Sequence, residues 1–211
     1  MRRVPGNWQP SGSRSWRPRG KRLDRLPRQP DRHHSLWFLA ALFLLFTVPS
    51  LLWVRLNRAA PNWDDAWYLS NSLTLYDAWS AGGFAGLARH FLASLGFKAP
   101  LITALPLPFY WVFGRRWHAA FLVNAVAMMV LFAAVWGIGR RLRGDRAGLI
   151  AVYITGTLPL LYGLSRWDLV EYPLATAVAV TFWLALVAAD LVGNYSDASR
   201  TTDPARMATE Q

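Results

Sequence analysis

The sequence predicts an all-α, polytopic membrane protein with about four transmembrane helices and further interfacial helices on the outer face. Three observations carry that expectation. Apolar residues make up 54% of the 211, and they come in blocks rather than at the spacings of a half-buried helix or strand. Each of four blocks is about as long as the ~20 helical residues that cross a hydrocarbon core of ~30 Å. Charge is displaced out of the blocks and piled up at the start of the chain.

Taken in order, residues 1–34 hold ten Lys/Arg against Asp24 and Asp31, a net +8 of the chain's +11. The stretch is rich in Pro, Gly and Ser and lacks apolar periodicity, so it reads as a disordered basic cytoplasmic tail. Trp8 and Trp16 lie among its arginines, a pattern also met in nucleic-acid binders. A basic stretch directly before a span more simply marks the cytoplasmic side and rests on anionic lipid heads, so no nucleic acid is expected as a partner. It does not read as a signal peptide either, since the apolar run is too long and no clean cleavage site follows.

The first span is expected at about 36–56, within Ser35–Leu56, whose one charge is Arg55. Residues 57–98 then form a long outer loop. In it Asp65–Trp79 reads as an amphipathic helix with Ala66, Leu69, Leu73, Tyr76 and Trp79 on one face. Gly82-Gly83 breaks that pattern, and a second helix follows over Phe84–Leu95. Asp64 is a candidate N-cap for the first of these helices. Residues 99–114 carry Pro100, Pro106 and Pro108 and are too short to cross, so they are expected to be interfacial or re-entrant.

The second span is then about 118–139, and it delivers Arg140, Arg141, Arg143 and Arg146 to the cytoplasm, as the positive-inside rule favours. The third, about 147–165, exits to a short outer loop at 166–170. The fourth, about 171–192, returns to a polar cytoplasmic tail, 193–211. The expected location is a multi-pass cell-membrane protein of a bacterial inner membrane, with both termini cytoplasmic. There is no cysteine, which removes disulfides and thiolate metal sites from consideration.

This topology gathers Asp64, Asp65, Lys98, Arg166, Asp168 and Glu171 on one side of the membrane. Asp64 and Asp65 stand between Trp63 and Trp67; a neighbouring carboxylate and aromatic shielding both disfavour the ionised form. That suits one of the pair to general-base work near neutral pH. Lys98 and Arg166 are candidate phosphate ligands. Asp168 and Glu171 can join the first loop's acids around a divalent cation, whose preferred ligands are oxygens; Asp65 and Asp168 are the candidate metal ligands. Each residue also has a plain structural reading: a helix cap, a snorkelling lysine, a span boundary.

The ordered set "DDAWYLSNSL", "FKAPLITALPLPFYWVFG" and "RRWHAAFLVNAVAMMVLFAAVWGIGRRLRGDRAGLIAVYITGTLPLLYGLSRWDLVEYPLA" resembles the N-terminal part of C-type-fold integral-membrane glycosyltransferases. The protein mannosyltransferase-like, aminoarabinose transferase-like and Rgt-type lipopolysaccharide-modifying families are the closest in style, over about residues 36–192. By that resemblance Asp64 and Asp65 are catalytic, Asp64 as the base. Tyr68, Lys98 and Asp168 match the family's substrate-binding positions, with Arg166 and Glu171 added from the residue pattern as substrate-binding candidates, and a divalent metal cation is a candidate cofactor. The donor is a polyprenyl-phosphate-linked sugar, and the acceptor a lipid or protein outside the cytoplasmic membrane. Ala99 stands where the family has the first proline of a Lys-Pro-Pro element, and Trp67 where some members have arginine. Such enzymes have many more spans, so the chain is expected to be an N-terminal fragment, one half of a split enzyme with a second polypeptide supplying the missing spans, or a decayed copy, and inactive alone. The alternative class is a non-catalytic membrane subunit that binds a lipid or a partner protein. A transporter ranks last, because transporters place ionisable groups at mid-membrane and these spans hold almost none.

Overall fold

The computed structural model describes residues 32–57, 61, 63–95, 99–167 and 170–201. Residues 1–31 of the expected tail 1–34, Lys98, Asp168 and the last ten residues lie outside the described residues, while 32–34 already belong to the first helix. Among those described, every regular element is helical: α1 (Arg32–Leu56), α2 (Trp63–Ser94), α3 (Pro100–Ala104), α4 (Leu107–Phe113), α5 (Trp117–Ala120), α6 (Leu122–Arg143), α7 (Asp145–Thr157), α8 (Pro159–Leu164) and α9 (Glu171–Thr201). Among the described residues, three helical stretches are long and apolar enough to cross a membrane: His33–Leu56, Trp117–Arg143 and Glu171–Gly193.

The expected span at 147–165 differs from these in being two helices. Leu158 is extended (φ −62°, ψ 119°) and Pro159 opens α8. A residue before proline is pushed out of the helical region, and proline itself has no N–H to continue the ladder. With 13 residues, α7 alone rises about 20 Å at 1.5 Å per residue. The segment 99–114 is likewise divided, into α3 and α4, at Leu105 and Pro106. Its prolines sit at helix starts, where a missing N–H removes nothing.

Helix α6 is the hub. Its buried residues (Val123, Asn124, Ala127, Met128, Leu131, Phe132, Ala134 and Gly137) recur at three and four, and α7, α9 and α1 pack around it. Lipid provides no hydrophobic drive for helix association, so close approach at small residues carries the packing. A Cβ on Gly139 would sit 2.6 Å from the Gly148 Cα, and one on Gly148 2.7 Å from the Trp136 carbonyl oxygen. Leu42, Met128, Leu131, Phe132, Val152 and Tyr172 fill the centre. Large apolar side chains such as Leu44, Leu45, Met129, Ile150, Val178 and Phe182 face outward, as lipid contact allows.

The chain passes back and forth, so elements distant in sequence share an end of the bundle. At one end Ser35 Oγ donates to Asp145 Oδ2 at 3.4 Å. Arg140 approaches the other carboxylate oxygen at 3.0 Å, and Arg141 pairs with Asp190 at 3.1 Å. The far end holds the C-terminus of α1, the start of α5 and α6, and the turn 165–167.

At that far end the long, kinked α2 and the short α3 and α4 pack on Val54, Ala119, Ala120 and Phe121. The break expected at Gly82-Gly83 falls at Gly83, with φ 57° and ψ −148°, a conformation only glycine holds without strain. The inward stripe of α2 is rotated from the apolar pattern. The buried residues are Asp65, Tyr68, Leu69, Ser72 and Leu75, while Ala66 is exposed and Leu73 and Tyr76 are half-buried. Two polar residues therefore face inward. Ser72 does so because its hydroxyl meets the fully buried Tyr110 hydroxyl at 2.7 Å, and a buried hydroxyl needs such a partner. In the helix after Gly83, Leu87 and Phe91 pack inward, whereas Phe84 and Leu95 are exposed.

Candidate functional site

The same rotation turns one carboxylate of the Asp-Asp pair inward and leaves its neighbour outside. Helix α2 begins at Trp63, so Asp64 and Asp65 both lie in its first turn. Asp64 is therefore inside the helix, one residue past its start, and not its cap. Acidic groups in a first turn interact favourably with the positive end of the helix dipole. Asp64 is exposed, whereas Asp65 is only 4% exposed.

Asp65 opens onto a cavity of about 160 Å³ lined by Trp53, Val54, Asn57, Pro61, Trp117, Phe121, Arg166 and Trp167. Its walls come from four places in the sequence: the last turns of α1, the start of α2, the α5–α6 junction and the turn after α8. Aromatic rings predominate. The two groups able to carry full charge are a carboxylate, Asp65, and a guanidinium, Arg166.

Arg166 is held by stacking. Its guanidinium carbon lies 4.3 Å from the Tyr162 ring centre and 5.4 Å from that of Trp53, within the range of cation–π attraction. Its Nε is buried and donates no hydrogen bond among the described residues. A planar guanidinium can stack and still offer donors at its edge, which an ammonium cannot.

The turn carrying Arg166 is fixed by a buried polar cluster. Asn124, 4% exposed on α6, donates from Nδ2 to the Trp167 carbonyl at 2.7 Å and to the Ser165 carbonyl at 3.2 Å. The Ser165 hydroxyl meets that of Ser50 on α1 at 3.0 Å. Away from water, backbone carbonyls released from a helix must find such donors. Asn124 and Ser50 were not among the expected site residues; a lone Asn or Ser in an apolar block is the signal that marks them.

Of the other expected residues, Tyr68 is buried one turn beyond Asp65 and meets the Trp67 ring edge-on, centres 5.1 Å apart. Glu171 lies in the first turn of α9 and is exposed. The structure thus joins Asp65 and Arg166 in one cavity and leaves Asp64 and Glu171 on the surface. Among the described residues no group of three or more His, Cys, Asp or Glu is placed to hold a metal ion. Of the two candidate metal ligands only Asp65 is described, and one carboxylate is fewer oxygens than a divalent cation takes from a dedicated site.

Outside the cavity, Arg115 clamps α2 to the end of α4 by two hydrogen bonds to Asp77, at 2.7 and 2.8 Å. The Arg115 hydrogen bonds hold the Asp77 carboxyl below its ordinary value of 3.8.

Residues 98–195 match the dolichyl-phosphate-mannose-protein mannosyltransferase family. The match supports a membrane glycosyltransferase-like family, in line with the resemblance drawn from the sequence. No curated protein and no solved structure matched the chain. The matched segment contains Asn124, Trp117, Phe121 and the Arg166 turn, but it begins after Asp65 and Trp53. The cavity is thus assembled across the edge of the matched region.

Proposed function

We propose that the chain forms the acid-bearing part of a glycosyltransferase that moves a sugar from a polyprenyl-phosphate donor to a lipid or protein acceptor on the outer face of the cytoplasmic membrane. The observation that carries this reading is the pairing of a buried carboxylate with a stacked arginine in one aromatic cavity at the end of a membrane bundle. Asp65, rather than Asp64, is the general base: it takes the proton from the acceptor hydroxyl or amine as the acceptor oxygen or nitrogen bonds to the sugar's anomeric carbon. The bond from that carbon to the phosphate oxygen breaks, and the lipid phosphate departs with the electron pair. Arg166 meets the charge that grows on the leaving phosphate, a role suited to a guanidinium with free edge donors. Trp53, Trp117 and Trp167 exclude water, which strengthens both effects. Asp64 supports the base from the surface, with Tyr68, Lys98, Asp168 and Glu171 contacting substrate. A second polypeptide contributes further spans.

The experiment is transfer of labelled sugar from a polyprenyl-phosphate donor in proteoliposomes, with the chain reconstituted alone and with its native membrane partners. Asp64, Asp65 and Asp168 are then replaced together by Asn. Loss of transfer with assembly intact supports catalysis. Undiminished transfer by the triple variant sinks it and leaves the non-catalytic subunit.

A further inference from the structure

A second cleft adjoins the Asp65 cavity on the other side of Val54, which lines both. It has a volume of about 550 Å³ and is lined by Leu51, Val54, Arg55, Arg116, His118 and Leu122. Its polar groups are two arginines and a histidine, and no carboxylate lines it. Arg55 and Arg116 make no ion pair among the described residues, whereas Arg115, next in sequence to Arg116, is engaged by Asp77.

Two guanidinium groups facing one cleft repel each other, and the low-dielectric surroundings of a membrane edge make this worse. An anion between them reverses the sign. Arg55 is in the last turn of α1, where the apolar span gives way to the interface and lipid phosphates lie. Below the arginines, Leu51, Val54 and Leu122 supply an apolar wall suited to the first carbons of acyl chains. Asp65 does not line this cleft, which shares only Val54 with the Asp65 cavity, so a phosphate held here is distinct from the one the proposed transfer requires.

We infer that Arg55 and Arg116 bind the phosphodiester headgroup of an anionic glycerophospholipid, held as a non-reacting lipid beside the Asp65 cavity. Its binding stands or falls independently of transferase activity. His118 adds a ring N–H at the rim, and the volume admits a glycerol-sized headgroup as well as the phosphate.

The test is native mass spectrometry of the purified full chain released from nanodiscs of defined composition, with phosphatidylglycerol, phosphatidylcholine or phosphatidylcholine doped with a polyprenyl monophosphate. The wild type should retain phosphatidylglycerol in preference to phosphatidylcholine. Each of Arg55→Gln and Arg116→Gln should weaken retention about fivefold, the worth of one basic residue near an anionic membrane surface. Arg89→Gln, an exposed arginine away from the cleft, should change nothing. The double Arg→Lys variant should keep most of the preference, which guards against a result due to misfolding of the Gln variants. Equal retention of phosphatidylcholine by the wild type, undiminished phosphatidylglycerol in the double Gln variant, or arginine-dependent selection of the polyprenyl monophosphate over phosphatidylglycerol would each overturn the inference.

Discussion

Replacing Asn124 by Leu should loosen the Arg166 turn without emptying the core. Both side chains branch at Cγ into two heavy atoms, so no large cavity opens; the change replaces two donors by a methyl group, which is bulkier than the amide nitrogen and adds some crowding against the carbonyls. Those donors reach the Trp167 carbonyl at 2.7 Å and the Ser165 carbonyl at 3.2 Å. Hydrogen bonds between membrane helices are worth about 0.6 kcal/mol on average and up to about 1.7. Two of them, one short and one long, give about 1 to 2 kcal/mol, with the orphaned carbonyls pushing toward the upper end. Unfolding of the purified chain by a denaturing detergent titration reads that loss. The chain contains no cysteine, so paired spin labels can be placed cleanly at two sites. Gly163 suits one, because a Cβ there meets nothing within 4 Å; exposed Ser70 on α2 suits the other. The distance distribution between them should broaden in Asn124→Leu. A variant with wild-type stability and an unchanged distribution would refute the claim that Asn124 holds the turn.

Further outcomes follow from single contacts. Gly148→Ala should cost about 1 to 3 kcal/mol by overpacking, since its Cβ would meet the Trp136 backbone oxygen at 2.7 Å. Gly82→Ala, with nothing within 4 Å, should be neutral or stabilising by less than about 1 kcal/mol; both are read in the same detergent titration. The Asp77–Arg115 clamp should be pH-dependent. Because the folded carboxyl is held below 3.8, its contribution is complete above that value and is lost as pH falls through the lowered folded value. Hydrogen exchange of α4 measured across that window should accelerate in the wild type, and Asp77→Asn should remove the pH dependence. Arg166→Lys should lower donor-lipid binding or transfer more than stability, because an ammonium cannot both stack on Tyr162 and offer edge donors.

The membrane class and the long helices at 33–56, 117–143 and 171–193 were legible because an unbroken apolar block of that length leaves few alternatives. The kinks were half legible. Gly82-Gly83 announced the α2 break, and the prolines of 99–114 marked that segment as no ordinary span; Pro159 went unread, because apolar run length alone made 147–165 look like one crossing. The inward face of α2 was not legible. Periodicity weighs apolar residues, and here Asp65 and Ser72 are the inward positions, selected by the cavity and by the Tyr110 hydroxyl. For the same reason the sequence singled out Asp64 and Asp65 together and could not divide them. Arg166 was identifiable as a lone cation between two spans. Asn124, which holds the turn that carries it, was hidden inside a span, visible only as a polar residue in an apolar run.

The most direct measurement is the rate of sugar transfer by Asp65→Asn against Asp64→Asn, each in the same reconstituted membranes and each checked for wild-type stability. A positioned general base contributes about 10²- to 10⁴-fold. The buried position of Asp65 predicts a loss in that range for Asp65→Asn and a change of only a few-fold for the exposed Asp64→Asn. A folded Asp65→Asn protein working at the wild-type rate would contradict the account.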